Sequence, residues 1–243
     1  YFTGPADAPE ITQNTITGNH KPVRLPFSSL PGTAAGNTLS PNTHNQIEFW
    51  GNTLSRDLVL PIDPVAVYCQ VNNRASVAEG YTLTLEPGMI WKVGASQRLQ
   101  VEGTLLATGT AAEKIVFTSY RDDTFGGDTN SDGASTGVPG DWDRISLNES
   151  SGSRLEHTVV RYAGSGNMGS IYIYQSDMPV LSSEVSHGQS HGIFTYSASP
   201  QLEGNTIADN GQDGIHHTGS SSPIDRNNDI SGNGNDGIHI ASG

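Results

Sequence analysis

Hydrophobic and polar residues alternate in short segments along the whole chain, and in its last third these segments recur at a nearly constant period. The most regular positions are Ile171, Ile193, Ile215 and Ile238. A period-2 alternation predicts β-strands, and a repeat of roughly 20 to 25 residues is typical of a solenoid. We therefore predict that each repeat is one coil of a parallel β-helix.

Stacking such coils in register places equivalent side chains above one another. The four isoleucines then form an inward column with a spacing of about 4.8 Å. The adjacent outward column consists of Tyr172, Phe194, His216 and His239. We interpret this outward column as a ladder of planar side chains that contributes to the stacking of the coils.

Histidines are concentrated in the same part of the chain, which leaves a second interpretation open. His216 and His239 are one coil apart. Three further histidines lie nearby in the sequence: His187, His191 and His217. A pair of histidines on adjacent coils could take up Zn²⁺ or Cu²⁺ adventitiously. We favour the ladder, since two aromatic residues occupy the same column.

A second recurring phrase places asparagines at equivalent positions. Asn205 and Asn228 are separated by one period, so their side-chain amides are predicted to hydrogen-bond from coil to coil. One coil earlier the same position holds Ser183, and the asparagine ladder is predicted to stop there.

The coil frame also extends to the beginning of the chain, where Ile16 and Leu39 are again one period apart. We predict an all-β chain of about nine or ten coils of roughly 22 to 24 residues, forming one module over residues 1–243. Residues 1–50 and 164–243 are Asn/Gly-type coils, and residues 51–163 are more aliphatic coils with a long acidic loop around 120–143.

The two ends of the sequence match each other. Residues 238–243 followed by residues 1–16 would make one complete coil, and neither end carries an evident cap. A solenoid end is an open sheet edge that normally requires a cap. We expect that the chain is one period of a tandem array or a subunit that stacks end to end; the alternative is a chain cut in the middle of a longer helix.

Composition agrees with a thin core and many turns: 29 of 243 residues are glycine and only 15% are charged. The net charge of −13 argues against a nucleic-acid partner, which requires clustered Lys and Arg. No apolar run is long enough to predict a membrane span. The single cysteine, Cys69, excludes an internal disulfide, and we predict it to be a small core residue.

Several motifs in the middle coils are more specific. They are the segments 83–88, 99–103, 115–119, 121–133 and 140–142. In these the chain resembles large bacterial secreted or surface proteins with right-handed parallel β-helix repeats of the pectate-lyase-like superfamily. The resemblance implies a right-handed helix, an extracellular or cell-surface location and tandem modules. It specifies activity poorly, because this fold hosts lyases, hydrolases, adhesins and inert stalks.

The acidic loop contains the first half of a calcium-binding pattern. Asp128, Asn130 and Asp132 offer oxygen ligands at alternate positions, and Gly133 allows the sharp turn. Pro139 occupies the position at which an EF-hand loop has its bidentate glutamate, so a further carboxylate must come from elsewhere. The candidates for it are Asp122, Asp123, Asp141 and Asp143. We predict a structural Ca²⁺ ion that fixes the loop; the alternative is a solvated acidic loop.

The function that we predict is mechanical: a rigid rod in an extracellular filament, stalk or fibrous surface protein, with copies of itself or adjacent modules as end-to-end partners. One alternative is a carbohydrate-binding adhesin that presents the Tyr172 and Phe194 column together with Trp91 or Trp142.

A second alternative is a polysaccharide lyase or hydrolase. Such an enzyme needs carboxylates and a nearby Arg or Lys on one exposed sheet. The middle coils contain candidates of both kinds: Arg144, Arg154, Arg161, Asp141 and Asp143. They form no recognisable catalytic motif, so we name no catalytic residue, and whether the chain is an enzyme stays open.

Overall fold

A computed structural model describes residues 9–62 and 67–241. This part of the chain is a right-handed parallel β-helix of about nine coils, as predicted. Its helical content is one 3₁₀ turn, Phe27–Ser29. Within the described residues there is no helix with the length and apolar character needed to cross a membrane.

The described residues form 24 short strands. In chain order they are β1 (Val23–Pro26), β2 (Ile47–Trp50), β3 (Thr53–Leu54), β4 (Leu58–Leu60), β5 (Val67–Asn72), β6 (Ala75–Val77), β7 (Thr82–Leu85), β8 (Ile90–Val93), β9 (Leu99–Val101), β10 (Thr104–Thr108), β11 (Ile115–Ser119), β12 (Ile145–Asn148), β13 (Arg154–Glu156), β14 (Thr158–Arg161), β15 (Ile171–Tyr174), β16 (Pro179–Leu181), β17 (Glu184–Ser186), β18 (Ile193–Tyr196), β19 (Gln201–Glu203), β20 (Thr206–Ala208), β21 (Ile215–Thr218), β22 (Ile224–Arg226), β23 (Asp229–Ser231) and β24 (Ile238–Ile240).

The strands form three parallel sheets, and each complete coil contributes one strand to each sheet. Sheet A has the order β1-β2-β5-β8-β11-β14-β17-β20-β23. Sheet B has the order β3-β6-β9-β12-β15-β18-β21-β24, and sheet C has the order β4-β7-β10-β13-β16-β19-β22. The path of the chain is therefore A, B, C in every complete coil.

The inward column predicted from the isoleucine period is confirmed. Ile171 pairs with Ile193, Ile193 with Ile215, and Ile215 with Ile238. The first three are fully buried, while Ile238 is exposed in the last described coil. Each buried isoleucine contributes about 1.5–3 kcal/mol through the removal of its side chain from water.

Glycine precedes three of these isoleucines because the stacked backbones approach closely at that turn. A Cβ atom added to Gly192 would lie 2.6 Å from the carbonyl oxygen of Gly214, and one added to Gly214 would lie 2.7 Å from that of Gly237. Any larger residue would push adjacent coils apart. The recurring Gly-Ile pair therefore marks both the turn and the start of the strand.

Large aromatic side chains fill the core of the earlier coils. The Trp91 ring lies 5.2 Å from the Phe49 ring and 6.0 Å from the Phe117 ring, centroid to centroid. Trp142 is also fully buried, and its indole Nε1 donates to the carbonyl of Arg161 at 2.8 Å. The expectation that Trp91 or Trp142 forms a sugar-binding platform is therefore wrong, because neither ring reaches solvent.

The asparagine ladder is confirmed, and it is longer than predicted. The Asn205 amide donates to Oδ1 of Asn228 at 3.0 Å. The ladder does not end at Ser183: the backbone N–H of Ser183 donates to Asn205 Oδ1, and the Ser183 hydroxyl accepts from the backbone N–H of Thr158, both at 3.0 Å. The Ser183 hydroxyl takes the place of the asparagine amide as the acceptor, so the hydrogen bonds between coils continue with a different side chain. Similar pairs join Asn14 to Asn37, Asn19 to Asn42 and Asn210 to Asn233.

The longest connection between strands joins β11 to β12 and contains the predicted acidic loop, residues 120–143. The predicted junction of residues 238–243 with residues 1–16 lies partly outside the described residues.

Candidate functional site

The acidic loop lies against the outward face of sheet A. One row of outward positions on adjacent strands runs through Glu48, Cys69, Lys92 and Thr118, and all four residues are buried. An outward side chain of a solenoid normally meets solvent, so this row must be covered: Glu48 pairs with Lys21 and Arg24, and the loop contacts Lys92 and Thr118. Lys92 Nζ donates to the carbonyl of Gly127, a loop residue, at 2.6 Å.

Burial changes the proton affinity of two groups in this row. Desolvation raises the pKa of the Cys69 thiol to about 12, even though the charge of Lys92 acts in the opposite direction. Desolvation also lowers the pKa of Lys92, which nearby acidic groups partly offset. Cys69 is thus a buried, protonated thiol, in agreement with its predicted role as a small packed residue.

The loop is held by Thr129 and Asp122. The Thr129 carbonyl accepts from His44 Nδ1 at 2.7 Å and from Gln46 Nε2 at 2.8 Å. The fully buried Asp122 carboxylate accepts from the Thr118 hydroxyl at 2.5 Å. The Thr129 contacts join the loop to residues just before β2, 83 and 85 positions earlier in the sequence, and the Asp122 contact holds the start of the loop against the end of β11.

Of the predicted calcium ligands, the structure brings Asp123, Asp128 and Asp132 together: one carboxylate oxygen from each lies within 4.8 Å of the others. Asn130 adjoins the group, since its amide donates to Asp132 Oδ2 at 2.8 Å. Asp122 does not join the group, because its carboxylate is occupied by the loop anchor.

The other two candidate carboxylates are occupied elsewhere. Asp141 accepts from the Ser119 hydroxyl at 2.6 Å. Asp143 forms ion pairs with Arg98 at 3.3 Å and Arg144 at 3.0 Å. Asp123 is thus the candidate that the fold places beside Asp128 and Asp132, and its Oδ1 atom is buried without a hydrogen-bond partner among the described residues.

The predicted outward column on sheet B forms a continuous stack. Phe194 and His216 stack at 4.8 Å with an interplanar angle of 14°, and His216 and His239 stack at 4.8 Å with an angle of 8°. A second column beside it, not recognised from the sequence, pairs Tyr174 with Tyr196 at 5.7 Å. The Tyr-x-Tyr pattern of β15 and the Phe-x-Tyr pattern of β18 could have predicted this second column from the sequence.

A polar groove adjoins this aromatic face on the earlier coils. It is lined by Asn52, Thr53, Asn73, Arg74, Ser76, Ser96, Gln97, Arg98 and Asp143. The groove meets the aromatic face at Arg144, which pairs with Asp143 and whose guanidinium lies 5.8 Å from the Tyr172 ring centroid. Planar rings and hydrogen-bonding side chains are therefore contiguous on one side of the rod.

On this side of the rod, the side chains of His191, Asp213 and His216 form a cluster. Asp213 Oδ2 lies 2.7 Å from His216 Nδ1 and 3.2 Å from His191 Nδ1. Asp213 lies one coil after His191, at the equivalent position. His216 follows Asp213 by three residues in the same coil. The same Asp-x-x-His spacing recurs in Asp236 and His239, which form a more exposed pair at 3.0 Å.

The surroundings of this group shift two pKa values. Burial and the neighbouring His216 lower the pKa of His191. For Asp213, desolvation acts to raise the pKa, but hydrogen bonds from the His216 side chain and the Asp236 backbone together hold it below its ordinary value. The Asp213 carboxylate therefore accepts a hydrogen bond from His216 Nδ1 and lies beside His191 Nδ1, which itself accepts from the Asp213 backbone N–H.

His217 belongs to a different environment from His216, since alternate residues of a strand face opposite sides. It points into the core, where Nδ1 lies 2.7 Å from the Thr195 hydroxyl and Nε2 lies 2.9 Å from Asp225 Oδ2. Although His217 lies near His216 in the sequence, its ring is therefore not part of the outward column.

Of the residues considered for catalysis, the structure brings Asp143 and Arg144 together at 3.0 Å, while the three arginines lie apart. Arg144 immediately precedes a strand of sheet B, Arg154 lies in sheet C, and Arg161 lies in sheet A. Arg154 pairs with Glu156 at 2.7 Å. The three arginines considered for a lyase or hydrolase therefore do not share one sheet.

The three parallel sheets and the stacked coils define the class of the protein: a parallel β-helix protein. A family model described as a right handed beta helix region matches residues 143–243. Neither the curated proteins nor the solved structures contain a significant match to the chain.

Proposed function

We propose that the protein is a structural module of an extracellular filament, stalk or fibrous surface protein, in which coils continue end to end into a neighbouring module or a second copy. The observation that carries the proposal is the asparagine ladders, which occur in both the first and the last described coils. In both places the amides are one period apart in sequence, at Asn14 and Asn37 and at Asn205 and Asn228.

The ladders have a direction, which makes the two ends of the rod complementary. In each pair the earlier asparagine donates through its backbone N–H and Nδ2 to the Oδ1 of the later one. Continued in the same sense, Asn228 offers donors to a following coil, and Asn14 offers an acceptor to a preceding one. A further coil of the same type would therefore continue the ladder through the same asparagine hydrogen bonds.

The last described coil also presents apolar side chains. Ile238 and Ile240, which continue the inward positions of Ile215 and His217, are exposed, and Ile240 is 74% exposed. A stacked coil would bury these side chains at a gain of about 25 cal/mol per Å² of apolar surface. The exposed apolar end therefore favours association with a coil of matching register.

Sedimentation of the 243-residue chain over a range of concentrations tests this association. We expect concentration-dependent linear oligomers, which Ile240→Lys abolishes because a charge would be buried between coils. The matched control is Val59→Lys: Val59 is 49% exposed on the side of the rod, and its replacement should leave association unchanged.

Electron microscopy of natively isolated material provides a second test. About nine coils at roughly 4.8 Å predict an axial repeat of roughly 45 Å along a filament. Monomers at every concentration, together with short rods of one length in the micrographs, would contradict the proposal.

We also propose a structural Ca²⁺ site in the acidic loop, with Asp123, Asp128 and Asp132 as carboxylate ligands and Asn130 adjacent. Its support is the convergence of three carboxylates and the preference of Ca²⁺ for oxygen ligands. Calorimetry should show Ca²⁺ binding that Asp128→Asn weakens at least about tenfold, with Glu113→Gln outside the loop as a control. Equal binding by both variants would place Ca²⁺ elsewhere.

A second candidate function, glycan binding, is favoured by the aromatic columns on sheet B. Tyr196 is 44% exposed beside the Tyr172 and Phe194 column, and aromatic faces of this kind pack against sugar rings. A glycan array with the wild type and Tyr196→Ala tests this function. Tyr81→Ala, on another part of the surface, is the control; loss of signal in both variants, or no signal at all, would argue against a sugar site here.

A further inference from the structure

We propose that His191, Asp213 and His216 bind a divalent transition-metal ion, with Zn²⁺ as the preferred class, through His191 Nδ1, Asp213 Oδ2 and His216 Nδ1. Two nitrogens and one carboxylate oxygen are a ligand set that zinc uses in proteins, and a fourth position is left for water or an external ligand. The site is separate from the acidic loop and does not depend on how the rods associate.

The ligand atoms are already close to the required separation. Ligands in tetrahedral zinc sites lie about 2.0–2.2 Å from the metal, which places them about 3.3 Å from one another. Asp213 Oδ2 is 3.2 Å from His191 Nδ1 and 2.7 Å from His216 Nδ1, and all three atoms lie within 4.8 Å of one another. A small outward movement of the His216 ring therefore suffices to admit the ion.

The backbone holds the ligands rigidly. His191 and Asp213 lie just before strands β18 and β21 on adjacent coils, which are joined there by the backbone N–H of Gly192 donating to the Asp213 carbonyl at 3.0 Å. His216 lies at the start of β21, a strand paired on both sides. The His216 ring is further confined between the rings of Phe194 and His239. Preorganised ligands lose little conformational entropy when the metal binds, which favours affinity.

A second layer of contacts orients the carboxylate. The backbone N–H of Asp236 donates to Asp213 Oδ1 at 3.1 Å, which leaves Oδ2 directed at the two imidazoles. Outer contacts of this kind fix ligand geometry in metal sites. The Asp213 side chain is 5% exposed, so a bound ion would be largely screened from bulk water.

The His191 ring also presents a lone pair on its proposed ligand atom. The backbone N–H of Asp213 donates to His191 Nδ1 at 3.2 Å, an arrangement that requires a lone pair on this nitrogen. Metal binding replaces this long hydrogen bond with a coordinate bond.

The neighbouring coil contains an internal control. Asp236 and His239 repeat the Asp-x-x-His spacing, but the position equivalent to His191 is occupied by Asp213, so only one nitrogen is available there. Both residues are also more exposed than their counterparts. We therefore expect one tight site rather than two.

The test is calorimetric titration of the full chain with Zn²⁺ at pH 7.5, supported by the visible spectrum of Co²⁺ as a zinc substitute. We expect one equivalent of tightly bound metal and a Co²⁺ spectrum of tetrahedral or five-coordinate type. His216→Phe and Asp213→Asn should each weaken binding at least about tenfold. Phenylalanine is suited to position 216 because Phe194 fills the same column one coil earlier.

The control is His239→Phe, which removes the exposed histidine and leaves the three proposed ligands. Unchanged affinity in this variant together with loss in His216→Phe would support the site. Equal loss in both variants would overturn the proposal and indicate adventitious binding by the stacked His216 and His239 pair. A circular dichroism spectrum and unfolding temperature for each variant separate loss of a ligand from loss of the fold. His191→Asn, which keeps a hydrogen-bond acceptor for Asp213, provides an independent second ligand variant.

Discussion

Asn205 shows how a single side chain can join several coils. Its Nδ2 donates to the Val180 carbonyl at 2.9 Å on one side and to Asn228 Oδ1 at 3.0 Å on the other, while its Oδ1 accepts from the Ser183 backbone. The residue is 1% exposed. Because water cannot replace these contacts, each backbone group depends on the amide for its hydrogen bond.

Replacement of Asn205 by alanine should therefore be costly. We expect Asn205→Ala to lower the free energy of unfolding by about 2–3 kcal/mol, since it leaves a buried N–H and a buried carbonyl without partners. Urea denaturation measures this difference. Asn228→Ala, at the more exposed end of the same ladder, is the control and should cost less; an equal cost would mean that burial does not determine the contribution of the ladder.

Cys69 gives a pH-dependent prediction. With a thiol pKa of about 12 against an ordinary value of 9.0, the folded protein should not react with a thiol reagent at pH 8, whereas the unfolded protein reacts fully. The raised pKa stabilises the fold below pH 9, and this contribution is lost as the pH rises from about 9 to about 12, by up to about 4 kcal/mol. Unfolding of the wild type and Cys69→Ala across this range measures the contribution. Rapid labelling of the folded protein would contradict the buried position of the thiol.

At the scale of elements, the acidic loop is a cover for part of sheet A. It buries polar residues that the strand pattern alone would leave in water, and it satisfies Lys92 and Thr118 with its own carbonyl and carboxylate groups. The loop therefore depends on a few specific polar contacts more than on apolar packing.

Removal of the Asp122 anchor should release the loop. A buried hydrogen bond to a charged group contributes about 1.5–3 kcal/mol, so Asp122→Ala should raise the population of the open loop at least about tenfold. Limited trypsin cleavage after Arg121, carried out in EDTA, measures this population. Glu113→Ala, an exposed acidic residue outside the loop, is the control, and cleavage rates that match in the two variants would show that Asp122 is not the anchor.

At the scale of the whole molecule, each coil contacts mainly its two neighbours, so stability should vary along the rod. The central coils have buried inward columns, whereas the inward positions of the last described coil are exposed. The rod should therefore open from this end before it unfolds as a whole.

Hydrogen exchange measures this gradient. We expect strong protection in β8, β11 and β14 and weak protection in β22, β23 and β24, because the latter lack a covering coil within the described residues. If the chain associates end to end, protection of the last three strands should rise with concentration. Uniform protection at low concentration would contradict the nearest-neighbour description.

The sequence by itself determined the coil frame. The constant period places Ile171 and Ile193 above one another, and the alternation within each strand predicts which side chains face inward. These features are local and repetitive, so the register in one coil predicts the register in the next. The same constant period predicted the outward column that contains His216 and the ladder that contains Asn205.

The tertiary structure alone decided which residues meet across the irregular parts of the chain. The long loop has no periodicity, and only the folded chain shows that it buries Lys92, separates Asp122 from the other carboxylates and places Trp142 in the core. Likewise, the convergence of His191, Asp213 and His216 depends on side-chain directions as well as register. Contacts between residues distant in sequence are selected by the packing of the whole molecule, and neither composition nor spacing contains that information.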